Sequence, residues 1–303
     1  MDYKKLIKSR NIRFKILRAL EWIPDKWMVS VQYRIKMGGW PNIDQPKRFS
    51  EKIQWYKLYY HDPLMNTCAD KYEVNEYVKS KGLESILVPL YGVYERGEDI
   101  DFSSLPEKFV LKTTNSSHEN IVVKEKGSVD RNEIVRKLNT WLGLTHKSPA
   151  REWAYDDCKP RIICQKYIEK DKNGRLIDYR MQCFNGKFEL LRVTIDSADS
   201  ASRNELYSEG YYDKDFKKLN ISEEDGKPYD FELTKPANWE RMIKIAELLS
   251  ADFPEARIDL YNQDGEILFG EITFYDNAGY IKFNPDSFDY ELGNAFILPD
   301  KRL

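Results

Sequence analysis

Residues 256–273, ARIDLYNQDGEILFGEIT, decide the fold because they read as two strands of one hairpin around a Gln-Asp-Gly-Glu turn. Side chains alternate between the two faces of a strand, so the register of the hairpin fixes which residues share a face. A two-residue loop at this turn would set Asp259 opposite Gly270. A three-residue connection with Gly265 in the left-handed conformation sets Asp259 opposite Glu271 instead. We predict the second register.

The predicted register gives the hairpin one polar face and one apolar face. Asp259 and Glu271 share the polar face with Arg257 and Thr273. The apolar face then comprises Ile258, Leu260, Leu268, Gly270 and Ile272. Carboxylates are the hard oxygen ligands that Mg²⁺ prefers, so the pair predicts a metal site that would face nucleotide phosphates. A solvated hairpin with a cross-strand Arg–Glu pair accounts equally well for the pattern alone.

Composition indicates a folded protein with a sizeable core. The chain has 303 residues, of which 41% are hydrophobic and 14% aromatic, enough for two domains or one large one. Its 48 Lys and Arg against 50 Asp and Glu give a net charge of −2, which argues against general nucleic-acid binding. Four cysteines without CxxC spacing and three scattered histidines argue against a zinc site.

No stretch resembles a signal peptide, and no apolar run approaches the ~20 residues that a spanning helix needs. We therefore expect a cytoplasmic protein with reduced thiols. The first 40 residues nevertheless carry ten Lys and Arg against three acids. Residues 1–62 read as basic, amphipathic helix, and two interpretations stay open. The segment lies on an anionic membrane at the inner face of the plasma membrane, or its apolar stripe packs on the rest of the protein.

The order of the remaining elements predicts the α+β class, because antiparallel hairpins mix with helices without a regular βαβ alternation. The expected helices span 70–82, 131–143 and 238–249; the expected strands span 86–91, 109–113, 120–123, 161–168, 179–184 and 188–194. Residues 197–236 lack any period and are expected to be mostly loop. We divide the chain into the N-terminal segment 1–62, a first lobe 63–160 and a second lobe 161–303.

Four segments in this order carry a resemblance to a known superfamily. They are ADKYEVNEYV (69–78), EKFVLKTTNSSHENIVV (107–123), RIICQKYIE with DYRMQCFNGK (161–187), and ARIDLYNQDGEILFGEITFYDNAG (256–279). Together they resemble the ATP-grasp ligases, and within them the TupA-like branch associated with bacterial surface polysaccharide clusters. The resemblance spans roughly residue 35 to the C-terminus. It implies an ATP-grasp fold, in which two α+β lobes clasp ATP.

Phosphate contacts are predicted around the second of these segments. Lys112 ends an apolar strand that runs into a Thr-Thr-Asn-Ser-Ser turn, a combination of cation, hydroxyls and backbone N–H groups that can cradle phosphate. Related enzymes have a glycine-rich loop here, whereas this loop lacks glycine, which leaves Ser116, Ser117 and His118 as side-chain substitutes. The resemblance also suggests that Lys71 reaches phosphate. Solvent-exposed lysines are the alternative at both positions.

The resemblance assigns the remaining site residues. The hinge between the lobes would bind adenine through Gln165, Lys166, Tyr167 and Ile168, with Gln165 in place of the usual glutamate. On the hairpin, Asp259, Glu271 and Thr273 would ligate Mg²⁺, with Thr273 in place of the usual asparagine. The catalytic cations would be Lys112, Arg257 on the phosphate or acyl-phosphate oxygens, and Arg180 at the substrate end, where Arg203 is a further candidate.

The resemblance implies a carboxylate–amine ligase with ATP and Mg²⁺ as cofactors. Its partners would be a carboxylate sugar or glycan, such as a uronic acid of a capsular polysaccharide, and a small amine or amino acid. A sugar kinase on the same site, a glycosyltransferase and a non-catalytic scaffold stay open as alternatives. Many relatives carry a Rossmann-like domain before the two lobes, and we expect the short basic helical segment in that place here. The substrate would then be bound by residues 197–236 and the C-terminal tail, or arrive on a lipid or polymer.

Overall fold

The structure of the chain is a computed structural model that describes residues 16, 19–114, 119–143, 148–156, 158–196, 207–224, 226–229 and 231–303. The helices are α1 (Asp25–Met37), α2 (Phe49–Tyr59), α3 (Pro63–Ala69), α4 (Val74–Ser80), α5 (Arg131–Leu142), α6 (Trp239–Ser250) and α7 (Ser287–Ala295). The strands are β1 (Leu90–Tyr94), β2 (Phe109–Thr113), β3 (Asn120–Val123), β4 (Ile162–Lys166), β5 (Leu176–Phe184), β6 (Lys187–Asp196), β7 (Tyr207–Tyr212), β8 (Ser222–Glu223), β9 (Glu255–Gln263), β10 (Glu266–Thr273) and β11 (Phe283–Asn284).

The first sheet is antiparallel, with strand order β1-β4-β2-β3, and it carries α5 on one face. Along β2 the side chains alternate, so that Phe109 and Leu111 enter a small core with Leu138 of α5. Val110 and Lys112 therefore point to the opposite face. Asp130 caps α5 by accepting hydrogen bonds from the backbone of residues 132 and 133. This alternation is what directs Lys112 away from the core.

The second sheet is antiparallel, with strand order β10-β9-β5-β6-β7. Helix α6 packs on one face of this sheet through an apolar stripe that includes Trp239, Met242 and Leu249. Asn262 of β9 bonds to residues of this helix, which marks the face that α6 covers. Asp259, three positions earlier on the same strand, belongs to the opposite face.

The strand predicted at 86–91 begins only at Leu90 and extends to Tyr94, because the backbone N–H groups of Ile86 and Leu87 bond within a turn before it. Two further element predictions differ from the structure. The segment 197–236 contains β7 and β8, because YSEGYY at 207–212 completes the second sheet as an edge strand through backbone pairing with β6. The helix predicted from residue 70 begins at Val74, because the Asp70 carboxylate accepts from the backbone N–H groups of Tyr72 and Glu73 and forms a turn first. Both differences come from bonding that hydrophobic periodicity does not report.

Candidate active site

The hairpin of β9 and β10 has the predicted pairing but not the predicted turn. Asp259 lies opposite Glu271, and Arg257 lies opposite Thr273. The loop, however, contains two residues, Asp264 and Gly265, whose φ angles of +48° and +96° suit a type I′ turn. The prediction of a three-residue connection is therefore wrong. A second feature must restore the register.

That feature is a β-bulge at Gly270. Phe269 pairs with Leu260 and Glu271 pairs with Asp259, so Gly270 is the extra residue of its strand. A β-carbon at position 270 would lie 2.9 Å from the Asp259 carbonyl oxygen, which explains why the position is glycine. The bulge also changes the predicted apolar face: Ile267 and Phe269 enter the core instead of Leu268 and Gly270. Leu268 pairs with Tyr261 and lies on the side of Asp259.

Cross-strand pairing aligns a row of polar residues over the face opposite α6. The row contains one residue from each strand, in the order Glu271, Asp259, Arg180, Arg192 and Tyr211. Arg180, in the DYRM segment of β5, thus lies between Asp259 of the hairpin and Arg192 of β6. We refer to these five residues as the charged row.

Arg257 is buried and fully bonded within this face. Its Nε and Nη2 lie 2.7 and 2.6 Å from the two oxygens of Asp259, which makes a bidentate pair. Its Nη1 lies 2.5 Å from Asp276, and Nη2 also donates to Thr273 Oγ1 at 3.1 Å. Glu271 is held more loosely, with Oε1 3.5 Å from Nη2 and 3.2 Å from Thr273 Oγ1. Arg257 therefore fixes Asp259 and leaves Glu271 available to a ligand.

The donor set suits Mg²⁺ in chemistry. Two carboxylates and a hydroxyl converge here, and the described residues contain no group of three or more His, Cys, Asp or Glu side chains placed to hold a metal ion. Mg²⁺ is commonly held by one or two carboxylates and takes water and phosphate oxygens as its other ligands. The Glu271 side chain is 48% exposed, so an ion can reach it. Each Asp259 oxygen keeps a lone pair beyond its bond to Arg257.

Electrostatics link the hairpin to the first lobe. Desolvation would raise the pKa of Glu271, but the positive charges of Lys71, Arg257, Arg180 and Lys112 hold it below its ordinary value. Burial lowers the pKa of Lys112 to about 8, with Lys71 acting in the same direction and Glu271 opposing. Lys112 is therefore mostly charged at neutral pH. Lys71 and Lys112 lie near Glu271, so the structure brings these three predicted residues together.

Asp259 titrates differently from Glu271. Burial raises the pKa of Asp259 to about 7, against the opposing charge of the Arg257 guanidinium. The difference follows from position, since Asp259 is buried whereas the Glu271 side chain is half exposed and faces several cations.

The other predicted residues divide into two groups. Gln165 and Lys166 end β4, where the backbone N–H of Lys166 donates to Pro89, and Tyr167 and Ile168 follow outside regular structure. Their role in adenine binding stays a prediction. Ser116, Ser117, His118 and Arg203 lie outside the described residues.

Sequence reasoning missed several residues that organise the site. Asp276 accepts from both Arg257 and Arg192, and its only signal in the sequence is its place in the FYDN string directly after Thr273. Arg192 interrupts the apolar strand sequence LLRVTI, which is a signal for a buried, paired cation. Its partners Glu209 and Glu223 belong to the segment that was expected to be loop.

Comparison with known proteins identifies the fold. A family model described as TupA-like ATPgrasp matches residues 51–297. No curated protein matches the chain significantly. The family match confirms the α+β, ATP-grasp fold predicted from the sequence. ATP-grasp proteins are ATP-dependent ligases that use ATP with Mg²⁺, and the donor set described above fits both.

Solved structures with similar folds are distant in sequence. D-alanine–D-alanine ligase from Bacillus anthracis is 19% identical over 68% of this chain and 57% of its own, with a TM-score of 0.41. Phosphoribosylamine–glycine ligase from Thermotoga maritima is 11% identical, with 80% and 59% covered and a TM-score of 0.46. L-amino acid ligase from Bacillus licheniformis is 14% identical, with 91% and 57% covered and a TM-score of 0.41. The chain thus spans under two thirds of the length of each.

Proposed function

The chain belongs to the TupA-like ATP-grasp family, and from that premise we propose that it is an ATP-dependent carboxylate–amine ligase. Its acid substrate would be a uronic acid of a capsular or other bacterial surface polysaccharide, or of its precursor. The γ-phosphoryl group of ATP passes to a carboxylate oxygen and gives an acyl phosphate and ADP. An unprotonated amine then attacks the acyl carbon and the bond from that carbon to the phosphate oxygen breaks. Inorganic phosphate leaves with the proton that the amine nitrogen loses.

Arg180 is the observation that carries the proposal. Its Nε donates to Asp178 at 2.9 Å and lies 3.8 Å from Asp259, while its two terminal nitrogens bond to no residue that the structure describes. The side chain is 22% exposed, so these N–H groups are accessible beside the hairpin. A guanidinium with two available parallel donors matches a carboxylate. A carboxylate bound there would lie next to the site for the γ-phosphate.

The remaining site residues supply charge and position. Asp259, Glu271 and Thr273 would hold Mg²⁺, which when bound neutralises phosphate charge and orients the phosphate oxygens. Lys71 and Lys112 would add positive charge from the first lobe. Gln165 to Ile168 would hold the adenine. Such fixed charges stabilise a phosphoryl-transfer transition state without having to reorganise during the reaction.

A sugar kinase is the second candidate, and Asp178 is the observation that favours it. Oδ1 of Asp178 is buried and has no hydrogen-bond partner among the described residues, while Oδ2 accepts from Arg180. A carboxylate in that place could accept the proton of a sugar hydroxyl. We rank it second because Arg180 presents donors that suit an anionic acceptor and would be superfluous for a hydroxyl.

The N-terminal segment supports a peripheral contact with an anionic membrane at its cytoplasmic side. On α1, the apolar side chains at four-residue spacing, Trp27, Val31 and Ile35, are exposed, and Trp22 before the helix is exposed as well. The opposite side of α1 buries Met28, Val29 and Tyr33. An exposed apolar stripe within a basic segment suits an anionic lipid surface. No helix among the described residues is long and apolar enough to cross a bilayer.

The decisive experiment supplies ATP, Mg²⁺ and a panel of glucuronic and galacturonic acids and their oligomers, with and without amines. ADP release should require the acid, and hydroxylamine should trap the acyl phosphate as a hydroxamate that mass spectrometry identifies. Neutral sugars of the same size are the matched control. Phosphorylation of those neutral sugars would instead support the kinase, and the absence of turnover with every acid would reject the ligase.

A further inference from the structure

A cavity of about 800 Å³ lies beside the charged row. Its walls come from the end of α1, the start of α2, β8 with Glu224 and Gly226, and the C-terminal segment 282–290. Two of these segments are joined by backbone pairing, because Phe283 of β11 lies opposite Glu223 of β8. Trp40, with 63% exposure, and Tyr290 line the rim. The cavity is large enough for a drug-sized molecule.

The charges of this cavity are predominantly negative. Four carboxylates line it, Glu51, Glu223, Glu224 and Asp286, whereas Arg48 and Lys282 are its cations. Both cations are already paired: Arg48 donates to Asp286 at 2.7 and 2.8 Å, and Lys282 lies 2.7 Å from Glu224. An anionic ligand would therefore meet excess negative charge, while a cationic ligand would relieve it.

The inner wall contains acceptors that lack donors. Arg192 lies 2.7 Å from Glu209, 2.8 Å from Glu223 and 3.1 Å from Asp276. Arg257 also bonds to Asp276, and the Tyr211 hydroxyl donates to Oε1 of Glu223 at 2.7 Å. The second oxygen of Glu209, Oε1, is buried and finds no partner among the described residues. Among the described residues, the second oxygen of Glu223, Oε2, accepts a hydrogen bond only from the side-chain amide of Asn277, at 3.5 Å. A buried acceptor such as Oε1 of Glu209 is costly unless a donor arrives, and Oε2 of Glu223 is a second acceptor that a ligand could reach.

Glycine at position 226 brings the cavity close to one of these acceptors. Gly226 lines the cavity, and a β-carbon there would collide with Oε1 of Glu209. A side chain at this position would therefore displace the Glu209 carboxylate. Because Gly226 has no side chain, only backbone separates the cavity from the unpaired Oε1 of Glu209 at this point.

We propose that this cavity binds the amine substrate in its ammonium form, with the carboxylates of Glu223 and Glu209 accepting its N–H groups. The inference rests on the proposed ligase function. A primary ammonium supplies three donors and one positive charge, which the excess acceptors and the excess negative charge of this wall both require. The chemical class is a small primary amine without a carboxylate of its own, such as an amino alcohol.

With this assignment, the acid and the amine would bind at opposite ends of one chain of hydrogen-bonded charged residues. Asp276 bonds to Arg192 on the side of Glu223 and to Arg257 on the side of Asp259. A smaller cavity of about 20 Å³ is lined by Arg180, Arg257 and Phe283, and Phe283 also lines the large cavity. The acid would thus bind at the cationic end beside Arg180. The amine would approach from the acidic end after one of the carboxylates there takes a proton from the ammonium and frees the lone pair of the nitrogen.

The first test measures binding without turnover. The full chain with Mg²⁺ and a non-hydrolysable ATP analogue is titrated by calorimetry with ethanolamine, and in parallel with ethylene glycol as the neutral isostere. We expect saturable binding of ethanolamine that Glu223→Gln weakens at least tenfold, and no comparable binding of ethylene glycol. Glu76→Gln is the matched control, since Glu76 is exposed on α4 and paired with Lys79.

Glu224→Gln keeps the test valid if Glu223→Gln unfolds, because Glu224 is exposed and its described ion pair is with Lys282 alone. This variant should weaken ethanolamine binding severalfold. Equal binding of ethanolamine and ethylene glycol, no binding of either, or unchanged ethanolamine affinity in the folded variants would overturn the assignment.

A second measurement separates this inference from the ligase proposal. Hydroxylamine trapping of the acyl phosphate needs ATP and the acid but not the amine site. Amine binding that depends on Glu223, together with no hydroxamate from any acid, would reject the ligase and keep the cavity assignment. Hydroxamate formation with amine binding that ignores Glu223 would reject the cavity assignment and keep the ligase.

Discussion

The guanidinium of Arg257 holds both carboxylate oxygens of Asp259, with Nε 2.7 Å from Oδ1 and Nη2 2.6 Å from Oδ2. Asp259 is therefore both a candidate metal ligand and half of a buried ion pair. Loss of one partner of such a pair typically costs about 3–5 kcal/mol of folding stability. Glu271, across the hairpin, is half exposed and only loosely bonded. The two carboxylates consequently differ as targets for mutation.

We expect Glu271→Gln to lower Mg²⁺-dependent ATP turnover by about 10²–10³-fold, because the variant keeps the shape of the side chain and removes a charge at the phosphate. Its melting temperature should stay close to that of the parent chain. Asp259→Asn should lose activity and also melt several degrees earlier. Full ATP turnover in Glu271→Gln would contradict the metal assignment.

Gly270→Ala tests the bulge that sets the register. The added β-carbon would lie 2.9 Å from the Asp259 carbonyl oxygen, so the strand must shift at a cost of about 1–3 kcal/mol. We expect a lower melting temperature and weaker Mg²⁺-dependent nucleotide binding by calorimetry. Gly127→Ala is the control, because a β-carbon there meets nothing within 4 Å and the residue has no positive φ. Equal effects of both substitutions would mean that Gly270 has no special role.

Arg180→Lys tests the carboxylate site while keeping the charge. A lysine cannot present two parallel donors, so the KM for the acid should rise about 10–100-fold while the KM for ATP changes much less. Initial-rate measurements with each substrate varied in turn provide the readout. Arg96→Lys, at an exposed ion pair with Asp99, is the control. A parallel rise in both KM values would indicate a general disturbance of the cleft.

Lys112 predicts a pH dependence of nucleotide binding. Burial lowers its pKa to about 8, so the unliganded side chain is charged below pH 8 and neutral above it. Phosphate binding favours the charged form, so the Kd for Mg-ATP should increase as the pH rises through 8. Lys112→Gln should bind more weakly at neutral pH and lose this dependence. A wild-type Kd that stays constant between pH 7 and 9 would exclude a phosphate contact by Lys112.

Trp27→Gln combined with Ile35→Gln tests the membrane contact. The pair should lower binding to phosphatidylserine vesicles, and added salt should weaken the binding of the parent chain. Leu248→Gln, at an exposed apolar residue of α6, is the control. If neither the double substitution nor salt changes vesicle binding, the remaining interpretation is that the apolar stripe of the segment packs on the rest of the protein.

An N-terminal truncation provides a second test of the membrane contact, and it should remove no residue beyond 15. Arg151 bonds to the backbone carbonyls of Leu20, Glu21 and Ile23 and pairs with Asp25. Removal of these residues would confuse lost binding with lost structure. Deletion of residues 1–15 removes six of the ten basic residues in the first 40 and leaves those bonds in place.

Much of the site was predictable because alternation along strands constrains which side chains share a face. The pairing of Asp259 with Glu271 followed from that rule and from the demand for two carboxylates on one side. The bulge that produces this pairing was not predictable. A glycine within a strand can be either a paired residue or the additional residue of a bulge, and the sequence does not distinguish the two. Asp276 and Glu223 were missed because their roles arise only when distant segments meet.

The bulge at Gly270 also separates the hairpin tip from the chemistry. The bulge shifts the pairing of β9 with β10 by one residue between the turn and the two carboxylates. The exposed Asp264-Gly265 turn therefore does not by itself determine the direction of the Glu271 side chain. A short epitope or a fluorophore-binding peptide inserted at this tip should leave the carboxylate pair in place. The same position offers an attachment point for immobilising the protein without displacing the carboxylate pair.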